Sequence, residues 1–199
     1  MQHLSVMGIG HHRSKQGSFF RPSGVFKLSH GGELRKKKRG RGFRPLSTKD
    51  PLHLVLKVAQ YRLRNKSLRA PRSFKLVLEI INKYAKHFAV KIEQISVQND
   101  HIHLLIRTSS RKRYQHFFRV IAGQIAQRFE MEGLLKTTVT DTPKLWKYRP
   151  FSRVLKGWKS YNVVRNYIQL NEKEVLGIIR YQKKRLSGLS TSDWQLLWA

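Results

Sequence analysis

From Pro51 onward, apolar and polar positions fall into alternating strand-type and helix-type runs, and their order predicts an α+β domain. Residues 53–59 are apolar enough for a strand. Pro71-Arg72-Ser73 then opens an amphipathic helix, with Phe74, Leu76, Val77, Ile80, Ile81 and Tyr84 at helical spacing. The next strand-type run carries Val90 and Ile92 on one face but Ile95 and Val97 on the other, which predicts a bulge near Glu93 and Gln94. Asn99-Asp100 is a turn signal, and residues 101–108 follow as a second strand whose alternation only Leu105 breaks, so the pair predicts a hairpin. A long helix over 112–132 lines up Tyr114, Phe117, Phe118, Ile121, Ile125 and Phe129 on one face. A strand-type piece over 145–154 follows, where Pro150 predicts an edge position, and then a helix over 160–176. Strand, helix, hairpin, helix, strand, helix is the order of a ferredoxin-like (RRM-like) antiparallel sheet with helices on one face and an appended helix.

Before Pro51 that patterning is missing. Residues 1–50 hold twelve Lys and Arg against Glu33 and Asp50, without a sustained hydrophobic period, and are read as a basic flexible arm. Its densest part, residues 35–44, includes Arg39-Gly40-Arg41-Gly42, which is similar to the Arg hooks that enter a DNA minor groove. The plainer reading is a solvated stretch that adds nonspecific phosphate affinity. The chain is thus divided into the arm (1–50), a folded domain (51–180) and a basic C-terminal tail (181–199).

Composition narrows the partner. The 199 residues suit one domain plus an arm, and 40% hydrophobic residues can build a core. The 41 Lys and Arg against 11 Asp and Glu give a formal net charge of +30, which points to a polyanion. No run approaches the roughly 18 apolar residues of a membrane span, and no signal-peptide pattern is visible, so the expectations are nucleic acid, no membrane and a cytoplasmic location. With no cysteine in the chain, disulfides, zinc knuckles, thiol nucleophiles and zinc-deaminase chemistry are excluded.

The sharpest local feature is Asp100-His101-Ile102-His103-Leu104-Leu105-Ile106. On a strand, His101 and His103 project from the face opposite Ile102, Leu104 and Ile106, two residue rises apart at roughly 6.5 to 7 Å between Cα atoms. Two neutral imidazoles so placed suit joint capture of a divalent ion: manganese, cobalt or nickel, and magnesium less comfortably. The same face also suits a base-stacking platform of the RRM kind or a plain exposed surface, and spacing does not separate the three.

That run resembles the histidine-hydrophobe-histidine strand of the single-tyrosine transposases of small bacterial insertion sequences. Downstream, Arg165-Asn166-Tyr167-Ile168-Gln169-Leu170-Asn171-Glu172 resembles the catalytic-tyrosine helix of the same superfamily, particularly its REP-associated branch, and the likeness covers about residues 44–180. The resemblance implies a metal-dependent single-strand DNA endonuclease and strand transferase acting on hairpin DNA, with Tyr167 as nucleophile forming a 5′-phosphotyrosine and releasing a 3′-OH. It implies a divalent ion, manganese or magnesium, held by His101 and His103 against the scissile phosphate. It further implies a possible homodimer.

The third ligand in well-known members is Gln four residues after the tyrosine, where this chain has Asn171. Asn171, Glu172 or a water completes the site on that reading, and Arg165 is the basic neighbour to watch. The bland alternative for Tyr167 is a core aromatic packed with Val163, Val164 and Ile168, and Tyr161 and Tyr181 are lesser candidates. The competing function is a non-catalytic nucleic-acid-binding protein on the same fold. Two-histidine phosphoesterases need two separated His-x-Ser/Thr motifs, which the domain lacks.

Overall fold

The computed structural model describes residues 44–136 and 144–199, together with the backbone of His30–Gly31. The remainder of the expected arm, including Arg39-Gly40-Arg41-Gly42, lies outside the described residues.

Five strands, β1 (His30–Gly31), β2 (Leu52–Lys57), β3 (Lys91–Val97), β4 (His101–Arg107) and β5 (Phe151–Val154), form one sheet in the order β1-β5-β2-β4-β3, and every neighbouring pair is antiparallel. Helix α1 (Pro71–His87) joins β2 to β3, and α2 (Arg111–Met131) lies between β4 and β5. From β2 to β5 this is the split arrangement the order of runs predicts, with β4 inserted beside β2. Pro71 occupies the first turn of α1, where its missing N–H breaks no helical bond.

The sheet has two differently covered faces. Leu52, Leu54 and Leu56 of β2 and Ile102, Leu104 and Ile106 of β4 point into the main core with Leu76, Val77 and Ile81 of α1 and Phe117, Ile121, Ile125 and Phe129 of α2. The β3 register shifts between Ile92 and Gln94, at the predicted bulge. The shift turns Ile95 and Val97 back to the side of Val90 and Ile92, so all four serve this core.

Helix α3 (Gly157–Val175) packs on the opposite face. Leu105 breaks the alternation of β4 because it belongs to that side: it is fully buried with Leu155, Val164 and Ile168.

The predicted strand over 145–154 shortens to Phe151–Val154, with Trp146 making only an isolated bridge to Val58. Pro150 does not mark an edge. It precedes the strand, whose two sides pair with β2 and with His30–Gly31, and its carbonyl accepts from Arg44 Nη1 at 2.6 Å. The expected C-terminal tail folds in part: α4 (Thr191–Trp198) starts at a capping box between Ser190 and Asp193. It docks on α3 through Leu170, Ile179 and Leu197. Among the described residues, no helix is long and apolar enough to cross a membrane.

Candidate active site

The tight turn at Asn99-Asp100 sets the start of β4, where the Gln98 N–H donates to the His101 carbonyl at 2.7 Å. From there His101 and His103 face α3, with ring centroids 4.6 Å apart and planes nearly perpendicular. Antiparallel pairing places Lys57, Val55 and His53 of β2 opposite His101, His103 and Leu105. His53 therefore joins the same face, and its Nε2 lies 3.0 Å from His103 Nδ1.

His103 and His53 are only 4% and 8% exposed, so neither is an open stacking platform or a plain surface imidazole. Burial, aided by the charges of His53, His101 and Arg185, holds His103 well below its usual value and keeps the ring neutral. Burial, with Arg153 and His101 adding to it, lowers His53 to about 4.

Each member of the predicted pair has one ring nitrogen engaged and one without a partner among the described residues. His101 Nδ1 lies 2.5 Å from Asp100 Oδ1. Burial pushes the Asp100 carboxyl up, but hydrogen bonds from His101 and Lys57 outweigh it and hold the group below its usual value. His103 engages Nδ1 with His53, and its Nε2 is buried without any hydrogen-bond partner. A neutral imidazole oriented through one nitrogen with the other unpaired is the arrangement of a metal ligand. Among the described residues, no three His, Cys, Asp or Glu side chains converge as a ready-made metal site, so two imidazoles alone would leave ligand positions to water or substrate.

Tyr167 stands edge-on to His103 with 5.5 Å between ring centroids. Val164 and Ile168 point into the Leu105 cluster, to which Tyr167 does not belong, while Val163 is exposed. Tyr167 is thus half-buried at the imidazoles rather than part of an apolar core. Asn171, one turn on, is buried, but its carboxamide is engaged at both ends: Oδ1 accepts from Arg185 Nη2 at 2.6 Å and Nδ2 donates to the Tyr167 carbonyl at 2.8 Å. Glu172 is likewise engaged, accepting from Arg69 at 2.9 Å and Ser96 at 2.9 Å.

Arg165 turns away from Tyr167 and lies 4.0 Å over the Trp198 ring. The basic group at the tyrosine is Arg185, whose guanidinium carbon is 5.3 Å from the Tyr167 ring centroid. Tyr161 stacks on Trp158, away from the histidines, and Tyr181 is largely exposed. Sequence reasoning missed His53 and Arg185. His53 lies in the predicted first strand, but its partner depends on inter-strand register, and Arg185 ends Lys183-Lys184-Arg185, which looks locally like any solvated basic run.

Residues 51–171 match the sequence profile of the IS200-like transposases ("Transposase IS200 like"). That span is most of the chain and holds the β4 histidines, Tyr167 and Asn171. The protein belongs to the IS200-like transposase family. Among solved structures, the chain is similar to a REP-associated tyrosine transposase bound to a REP hairpin, at 14% identity and TM-score 0.53, over 71% of this chain and 76% of that one. At that identity the likeness concerns the fold. It also aligns with a protein assigned as a transposase from Deinococcus radiodurans R1, at 16% identity and TM-score 0.40, over 68% of this chain and 98% of that one, too distant to carry weight. No curated protein matches the sequence.

Proposed function

We propose that this transposase cleaves and rejoins single-stranded DNA next to a hairpin through a covalent tyrosyl link. The observation that carries this reading is the buried, unpartnered His103 Nε2 beside the edge of the Tyr167 ring. A structural histidine in a core satisfies both nitrogens, whereas a ligand keeps one free.

His101 and His103 are the residues that would hold a divalent ion, manganese or magnesium. Bound there, such an ion supplies Lewis-acid polarisation of a phosphate oxygen. Asp100 and His53 orient the two imidazoles. The Tyr167 oxygen forms a bond to phosphorus as its proton leaves, the bond from phosphorus to the 3′ oxygen breaks, and that oxygen takes up a proton. The product is a 5′-phosphotyrosine and a free 3′-OH. Attack by a DNA 3′-OH on the same phosphorus reverses the exchange and releases Tyr167, so no nucleotide triphosphate is required. The net charge of +30 favours DNA as partner, and the hairpin follows the fold-related transposase, which was captured on one.

The test is incubation of the full chain with labelled hairpin DNA carrying single-stranded flanks, in manganese, followed by a denaturing gel. A protein-DNA adduct that chelator abolishes is the expected result. Tight hairpin binding with no adduct in any divalent metal would instead identify a non-catalytic DNA-binding member.

A further inference from the structure

Arg185 sits in a stretch that reads as a solvated basic run, yet its guanidinium is built into the site. Its Nη2 donates to Asn171 Oδ1 at 2.6 Å, and its Nη1 lies 2.8 Å from both carboxylate oxygens of Glu174. The same group lies against the rings of Tyr167, at 5.3 Å, and Tyr181, at 5.1 Å. The Arg185 and Glu174 side chains are 22% and 11% exposed. Asn171 closes a loop of contacts by donating to the carbonyl of Tyr167.

The backbone is shaped for this placement. Arg185 has φ +55, a region that residues with a Cβ seldom adopt and that clusters at functional sites. The turn that follows closes on Gly188, where a Cβ would lie 2.7 Å from Gln182 Oε1 and 2.9 Å from Lys184 Cβ. A planar fork shared between an amide and a carboxylate while lying against two rings is a geometry that an ammonium group does not reproduce.

We infer that Arg185 and Asn171 are positioning residues for Tyr167: Arg185 holds the tyrosine ring against His103, and Asn171, its oxygen turned to the guanidinium, ties the two together instead of serving as a metal ligand. The inference rests on Tyr167 being the nucleophile. It departs from the role that resemblance gives Asn171, and it explains how a side chain one methylene shorter than Gln serves at that position.

The experiment uses the full chain in three readouts. In 19F NMR of 3-fluorotyrosine-labelled protein, with the Tyr167 signal assigned through Tyr167→Phe, Arg185→Ala moves that signal and Arg185→Lys restores it at most in part. In the hairpin adduct assay, Arg185→Ala lowers the rate about 100-fold, as expected when a reacting group is displaced. In titrations with manganese alone, Asn171→Ala and Arg185→Ala bind as the unaltered protein does. The double variant Arg185→Ala with Glu174→Gln, which leaves no unpaired carboxylate, behaves as Arg185→Ala does should the single variant fold poorly. An unmoved Tyr167 signal, an unchanged adduct rate, or a loss of manganese affinity of about tenfold or more in Asn171→Ala would each overturn the inference. Absence of any adduct with the unaltered protein would refute the nuclease reading, and the fluorine signal would still decide whether Arg185 positions Tyr167.

Discussion

His53 Nε2 and His103 Nδ1 lie 3.0 Å apart, with the two rings stacked at a centroid distance of 5.2 Å. Between two neutral rings one nitrogen donates and the other accepts. If His103 Nδ1 carries the proton, its Nε2 presents a lone pair to the site, and His53 must carry its own proton on Nδ1. On the proposed metal-binding reading, His53 is the acceptor that leaves this lone pair to the site. His53→Ala leaves a buried N–H unpaired, so manganese affinity is expected to fall roughly 10- to 100-fold and stability by roughly 1–3 kcal/mol. Calorimetric titration of manganese and urea unfolding measure the two, and an unchanged affinity would remove His53 from the site.

The same burial sets a pH dependence of the metal-free protein. His53 drops from 6.5 to about 4 in the folded state, and His103 shifts in the same direction. Between those pH values the unfolded chain binds more protons than the folded one, so stability rises with pH. It is full above about 6.5 and is lost as pH falls toward 4, by on the order of 3 kcal/mol for His53. Urea midpoints at several pH values in chelator measure this, and His53→Phe should flatten the profile.

Tyr167→Phe removes one oxygen and leaves the edge contact with His103. Hairpin and manganese binding should persist while adduct formation stops. Tyr161→Phe and Tyr181→Phe should still form adduct. Burial and the nearby Glu93 carboxylate push the Tyr161 phenol up, which makes it a poorer source of phenolate. Adduct formation by Tyr167→Phe at the normal rate would move the nucleophile elsewhere.

The apolar part of the contact between α3 and the sheet is a small cluster around Leu105, beside polar contacts such as that of Ser96 with Glu172. Leu105→Ala empties a fully buried position and should cost about 2–5 kcal/mol. Because Val164 and Ile168 of that cluster lie on the helix that carries Tyr167, the adduct rate should fall even at temperatures where the variant stays folded. Thermal unfolding and single-turnover adduct assays separate the two effects.

Residues 1–43 hold ten Lys and Arg against Glu33, along with the two-residue strand that pairs with β5. Deleting residues 1–43 should weaken DNA binding on all sequences and flatten its dependence on salt, because fewer counterions are released. Hairpin selectivity should remain. An unchanged salt slope would show that the arm does not meet phosphate.

Much of this architecture is legible without coordinates because it is local. A period of two or 3.6 marks most elements from β2 to α3, the run from Val90 to Val97 changes face at Glu93 and Gln94, and an Asn-Asp turn joins β3 to β4. Those features depend on residues a few positions apart, and the structure keeps them. His101 and His103 share a face for the same reason, and Tyr167 and Asn171 share a helix side one turn apart.

Tertiary structure alone decides what those residues meet. Whether His53 reaches His103 depends on the register of two strands separated by a whole helix and another strand, and no local pattern encodes it. Leu105 looks like a flaw in the alternation of β4 until α3 is seen to cover that face. Arg185 shows the limit most clearly. Lys183-Lys184-Arg185 reads as three solvated charges, because charge and spacing do not reveal a chain reversal. Only the left-handed backbone at Arg185 and the tight turn to Gly188 carry one guanidinium back to Asn171 and Tyr167. Local pattern alone was enough for most elements from β2 to α3, their faces, and His101, His103 and Tyr167; packing between distant elements set the orientation and burial of the imidazoles and which arginine stands at the tyrosine.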